Sequence, residues 1–164
     1  MSPDASRLPR IVTLHHLLGI NVGHPEDMLS ETTKENIKSR LTNLLCLMID
    51  ERSMLSSKIL AIAERNVREC AFKGQNNKEI WGGVPVVLLS GDDYQLFPVI
   101  DKGAIQGYSR MNDKSSQTPT TRMTPSQLKC QCGNYLFTHI MSETVFTLDI
   151  NYRVRCKKFR RSPW

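Results

Sequence analysis

The stretch LLCLMIDERSMLSSKILAIAERNVRECAFKGQNNKEIWGGVPVVLL, Leu44 to Leu89, decides the fold. It opens with a short apolar run, Leu44 to Ile49, that stops at two acids, Asp50 and Glu51. It closes with a second run, Val84 to Leu89, entered through Gly82-Gly83 and left through Ser90-Gly91. Apolar runs this short, without alternation, predict strands covered on both faces, as in a parallel α/β sheet. Between them Ile59, Ile62, Ala63, Val67 and Ala71 recur at helical spacing, with Ser56 or Ser57 as N-cap and Gly74 as a stop. Strand, helix, strand is the βαβ unit, and a right-handed crossover is expected.

Working outward, a shorter amphipathic helix is predicted over about 34–43, with Ile37 and Leu41 inward. Residues 109–127 turn to Ser, Thr, Pro, Lys and Gln without periodicity, which predicts an exposed loop or flexible insertion. A short helix is expected from Tyr135 to Met141, capped by Asn134, and Val145 to Ile150 is a weaker third strand. The chain has 164 residues, 40% hydrophobic and 23% charged, which suits one domain with a real core and excludes the composition of disorder. No apolar run approaches the roughly 20 residues that span a bilayer, and the first residues lack a secretory apolar stretch, so a soluble intracellular protein is expected. Cys46, Cys70, Cys130, Cys132 and Cys156 are odd in number, which favours reduced thiols over a disulfide framework.

The formal net charge is +6, yet Arg155, Lys157, Lys158, Arg160 and Arg161 carry five of the positive charges and leave +1 (6 less 5) for the rest. Basicity therefore belongs to the tail, residues 156–164 with Arg155 before them. It reads as a linker, a frame-altered end or a phosphate-binding extension, and the body is not a nucleic-acid binder on charge alone.

The chemistry sits at the strand ends. In LMIDERSM, Leu47 to Met54, a buried strand delivers Asp50 and Glu51 to the edge where α/β proteins bind ligands. This is the Walker B arrangement of P-loop nucleoside triphosphatases, in which one acid holds Mg²⁺ and its neighbour polarises water. A solvated acid pair capping the next helix is the plainer alternative. The second strand runs into GDDYQLFPV, Gly91 to Val99, which brings Gln95 to the equivalent edge.

An acid pair and GDxxQL on adjacent strand ends resemble the PIF-type (petite integration frequency) helicases of superfamily one, which move 5′ to 3′ on DNA, and their RecD relatives. TLHHLLGI, Thr13 to Ile20, resembles that family's motif Ia, a Thr-x-His segment following a strand. LDINYRV, Leu148 to Val154, resembles its motif IV, and DKGAIQGY, Asp101 to Tyr108, resembles the text after motif III. The resemblance implies an α/β, RecA-like P-loop NTPase core with a parallel sheet. It also implies ATP and Mg²⁺ as cofactors and roles for six residues. Asp50 would hold Mg²⁺, Glu51 would act as general base, Gln95 would sense the γ-phosphate and Arg153 would neutralise developing charge. Thr13 and His15 would contact a DNA phosphate.

The implied function is ATP-dependent 5′-to-3′ DNA unwinding in repair, recombination and telomere maintenance. The implied partner is DNA at a single-stranded/duplex junction, with no membrane. A monomer is expected, in the nucleus, with the mitochondrion as an alternative. Arg52, Asp93 and Phe97 depart from the family pattern, which usually has an aliphatic residue, an aromatic and a proline there; Arg52 could pair with Glu51. None of the nine glycines is followed by lysine, so the phosphate-cradling GxxxxGK[ST] loop is absent. The expectation is an incomplete first motor domain over 1–155, with the P-loop strand and the second motor domain missing and weak nucleotide binding. A non-catalytic, transposon-derived remnant acting as a DNA-binding or interaction module is the alternative. Cys130-x-Cys132 with His139 and Cys156 invites zinc, but one-residue spacing favours unliganded thiols. His15 and His16 also fit a core histidine pair.

Overall fold

Residues 11–21, 23–25, 27–70, 78–92, 96, 98 and 124–148 are described by the computed structural model. In chain order they form α1 (Leu14–Leu18), α2 (Glu31–Leu41), β1 (Cys46–Ile49), α3 (Ser57–Glu69), β2 (Val86–Leu89) and α4 (Pro125–Tyr135). Tighter helical turns fill Arg52–Met54 and Ile80–Gly83, and a π-helical turn, Leu136–Ile140, extends α4.

The two apolar runs pair in parallel as predicted, with Cys46 beside Val86 and Ile49 beside Leu89. Their coverage differs from expectation. Leu47 and Ile49 are buried, while Cys46 and Met48 on the opposite face are exposed, Met48 to 63%. Val86 and Leu88, in register with Cys46 and Met48, are also exposed. The reason is layering: among the described residues the packed core lies against the Leu47–Ile49–Val87–Leu89 side alone. A continuous apolar run does not distinguish one covered face from two.

The crossover helix α3 forms for the reasons the sequence suggests. The Ser56 hydroxyl accepts the Ile59 amide at 3.2 Å and caps the first turn. Leu60, Ile62, Ala63 and Val67 are buried at 1% exposure or less, each large apolar side chain contributing about 1.5–3 kcal/mol on burial. The helix ends at Glu69, with the Cys70 amide bonded to Asn66; Ala71 and Gly74 lie outside the described residues.

α2 begins at Glu31, three residues before the expected start, because Ser30 caps it through the Thr33 amide at 3.2 Å. Ile37 and Leu41 point inward as predicted. α1 is capped by Thr13 and stopped by Gly19, whose φ of 63° is left-handed; a Cβ there would lie 2.7 Å from Thr33 Cγ2. Residues 11–13 form no strand and Ile11 is almost fully exposed, while the strand expected ahead of motif Ia falls mainly on residues 1–10, outside the described residues. Buried Asn66 on α3 fastens α1, donating to the Leu18 carbonyl at 2.9 Å.

The C-terminal part departs furthest from expectation. The helix starts at Pro125 rather than Tyr135, with Thr124 and Gln127 forming a reciprocal capping box. Residues 124–127 are thus cap and first turn rather than loop, while 109–123 lie outside the described residues. Asn134 is no cap: it is buried within α4, where its Oδ1 accepts the Ser57 hydroxyl at 2.7 Å. Gly133 makes that approach possible, since a Cβ there would overlap the Ser57 carbonyl oxygen and lie 2.5 Å from its carbon. The weak third strand is not formed over 145–148. Val145, Phe146 and Leu148 stand exposed without ladder partners among the described residues, and 149–150 lie outside them. No described helix is long and apolar enough to cross a membrane.

Candidate functional site

Register places the first acid. The Ser90 amide donates to the Ile49 carbonyl and the Arg52 amide donates to the Ser90 carbonyl, both at 2.9 Å, so the ladder continues beyond β1 and β2. Asp50 and Ser90 therefore leave the sheet abreast. The Ser90 hydroxyl donates to Asp50 Oδ1 at 2.6 Å, and the Glu51 amide donates to the same oxygen at 2.9 Å. The Ser90 hydroxyl first, and the Glu51 amide second, hold the Asp50 carboxyl below its ordinary value. Asp50 is an exposed, oriented, ionised carboxylate.

Glu51 follows with φ 55° and ψ 48°, a left-handed backbone uncommon for a residue other than glycine. The Met54 amide closes the turn on the Glu51 carbonyl at 3.0 Å. Arg52 is half-buried, and its guanidinium lies over the Phe137 ring, 5.6 Å from the centroid. Gly91, with φ 153°, lets β2 leave past this turn: a Cβ there would sit 2.7 Å from Arg52 N and 2.9 Å from its Cγ.

Of the predicted site residues, Asp50 and Glu51 stand together at the carboxyl edge of β1. Gln95 and Arg153 lie outside the described residues, as do Asp93 and Phe97. Thr13 caps α1 and His15 lies within it, separated from the acid pair in the chain by α2 and β1. The Thr13 hydroxyl accepts the His16 amide at 3.3 Å, and the His15 carbonyl accepts the Ile20 amide at 2.9 Å. Their present bonds are those of a helix cap and stop.

Ser90 was not foreseen as a partner of Asp50; the signal was a hydroxyl one residue past a strand, visible only once the register is known. The donors at this edge are oxygens, which suit Mg²⁺, an ion that takes one or two carboxylates and keeps several waters. Asp50 fits that pattern. Among the described residues no group of three or more His, Cys, Asp and Glu side chains could hold a metal by itself. Cys46, Cys70, Cys130 and Cys132 form no disulfide among the described residues.

The acid pair stands beside the end of a second parallel strand, and a PIF1-like helicase family model matches residues 4–121. The chain belongs to the PIF1-like helicase family. That match includes Thr13, His15, Asp50, Glu51 and Gln95, and stops before α4 and Arg153. Among individual proteins, the chain is similar to the ATP-dependent DNA helicase Pif1 of Psychrobacter sp. (strain PRwf-1), at 34% identity over 95 residues. Those residues are 56% of this chain and 14% of that helicase, so the chain spans a small part of its relative. No solved structure matched the chain.

Proposed function

We propose that this chain supplies the magnesium-holding and water-activating edge of a RecA-like first motor domain in an ATP-dependent 5′-to-3′ DNA helicase. The observation that carries the reading is the oriented Asp50 carboxylate, fixed between the Ser90 hydroxyl and the Glu51 amide at the carboxyl end of parallel strands. Hydrolysis needs an ionised oxygen ligand there and a second carboxylate beside it. In this reading Asp50 holds Mg²⁺, which when bound neutralises phosphate oxygens. Glu51 accepts a proton from the attacking water, a contribution of about 10² to 10⁴ in rate. Gln95 would report the γ-phosphate, Arg153 would neutralise charge on it, and Thr13 with His15 would grip a DNA phosphate. The motif resemblance supports these assignments, and the family match covers the residues of all of them but Arg153. Work in DNA repair, recombination and telomere maintenance, in the nucleus or mitochondrion, belongs to the same proposal.

The test is a chimera in which the 95 matching residues replace their counterparts in the Psychrobacter helicase. DNA-stimulated ATP hydrolysis should survive the exchange and fall at least about 10²-fold in Glu51→Gln, with Asp50→Asn losing activity or needing more magnesium to reach it. A folded chimera that binds DNA but hydrolyses nothing would refute the catalytic reading and favour a non-catalytic remnant.

A further inference from the structure

A glutamate in the left-handed region is strained, and such a conformation persists only where its neighbours fix it. Glu51 is the residue on which water activation would depend, so what fixes it matters to function. The Arg52 amide is bonded to the Ser90 carbonyl, and the Arg52 side chain passes Gly91 and carries its guanidinium over Phe137. Gly91 clears the space in which Arg52 N and Cγ lie. Phe137 is itself anchored: it packs against the core next to buried Leu136, on the turn that extends α4. α4 is docked on α3 through Gly133 and the Ser57–Asn134 bond. A line of contacts thus runs from the α3–α4 pair, through one aromatic ring and one guanidinium, to the residue after Glu51.

We propose that Arg52 is a positioning residue: its guanidinium, seated on the Phe137 ring, ties the Glu51–Met54 turn to Leu136–Ile140 and so sets how Glu51 is presented. The proposal rests on the reading of Glu51 as the water-activating acid, and it gives the departure at Arg52 a role. Where an aliphatic residue would only pack, a guanidinium on an aromatic face also fixes direction. Movement of the Leu136–Ile140 turn would then reach the acid pair directly.

The test is amide hydrogen exchange followed by NMR on the whole chain, comparing Phe137→Leu, Phe137→Tyr and Arg52→Met. In Phe137→Leu and Arg52→Met the Arg52 and Met54 amides should exchange about two- to fivefold faster, the loss expected for an exposed cation–π contact. The Val67 amide in α3 should be unchanged, and Phe137→Tyr, which keeps the aromatic face, should match the parent. Unchanged Arg52 and Met54 exchange, equal acceleration at Val67, or a tyrosine variant as loose as the leucine variant would each overturn the proposal. If Phe137→Leu does not fold, Arg52→Met decides. Should the chimera keep hydrolysing with Glu51→Gln while these amides still loosen, the tether stands and the catalytic reading fails.

Discussion

Gly133→Ala puts the docking of α4 to a test in which two physical effects have opposite signs. Judged by helix preference alone, alanine inside α4 should stabilise the chain by about 1 kcal/mol. Judged by packing it should do the reverse, because the new Cβ would overlap the Ser57 carbonyl oxygen and lie 2.5 Å from its carbon and 3.0 Å from its Cα. All three atoms are backbone, so α4 must shift away from α3 as a unit. Overpacking of this kind costs about 1–3 kcal/mol. The shift also breaks the buried 2.7 Å bond between Ser57 Oγ and Asn134 Oδ1, leaving a polar pair unsatisfied at about 1–3 kcal/mol. The net expectation is a loss of about 3 kcal/mol, a large share of the stability of a small domain. Urea unfolding followed by far-UV circular dichroism measures it, with the slope checked for unchanged two-state behaviour. A Gly133→Ala protein as stable as the parent, or more so, would show that α4 does not rest on α3 in this way.

Three further expectations follow from single residues. Leu47→Ala, on the covered face of β1, should destabilise by about 2–5 kcal/mol, while Met48→Ala, one residue on and 63% exposed, should stay within about 1 kcal/mol; equal costs by urea unfolding would contradict the one-sided sheet. Asn66→Ala should cost about 1–3 kcal/mol and speed exchange around Gly19, since the Leu18 carbonyl loses its donor. Ser90→Ala should raise the Asp50 titration, followed by carboxylate ¹³C NMR, toward its ordinary 3.8. Because the folded-state value is lowered, Asp50 stabilises above the unfolded value and loses that contribution as pH falls through the folded one, and removing the hydroxyl should narrow this acid window. An unmoved titration would mean the Ser90 bond does not form in solution.

The βαβ unit was legible because its signals are local: two short apolar runs, one helical stripe, a serine cap and acids at a strand end. Ile37 and Leu41 were legible for the same reason. α4 was not, although Thr124, Pro125 and Gln127 spell a capping box. Its body carries Cys130, Cys132, Gly133 and Asn134 rather than an apolar stripe, and it is held by contact with Ser57, far away in the chain. Asparagine is a common cap, but the partner of Asn134 is Ser57, which it meets only because α4 crosses α3. At the candidate site, Asp50 and Glu51 could be placed from the pattern. The Ser90 hydroxyl and the Phe137 ring could not, because each meets its partner only through register or helix docking.

The left-handed turn at position 51 separates folding from chemistry at a single residue. Glycine adopts that backbone without steric cost, and a side-chain-bearing residue incurs about 1 kcal/mol or more there. Glu51→Gly should therefore leave the protein about as stable as before while deleting the carboxylate. Among the described residues no packing contact calls for an acid at this position, so a stability screen of this turn would be blind to the difference between glutamate and glycine.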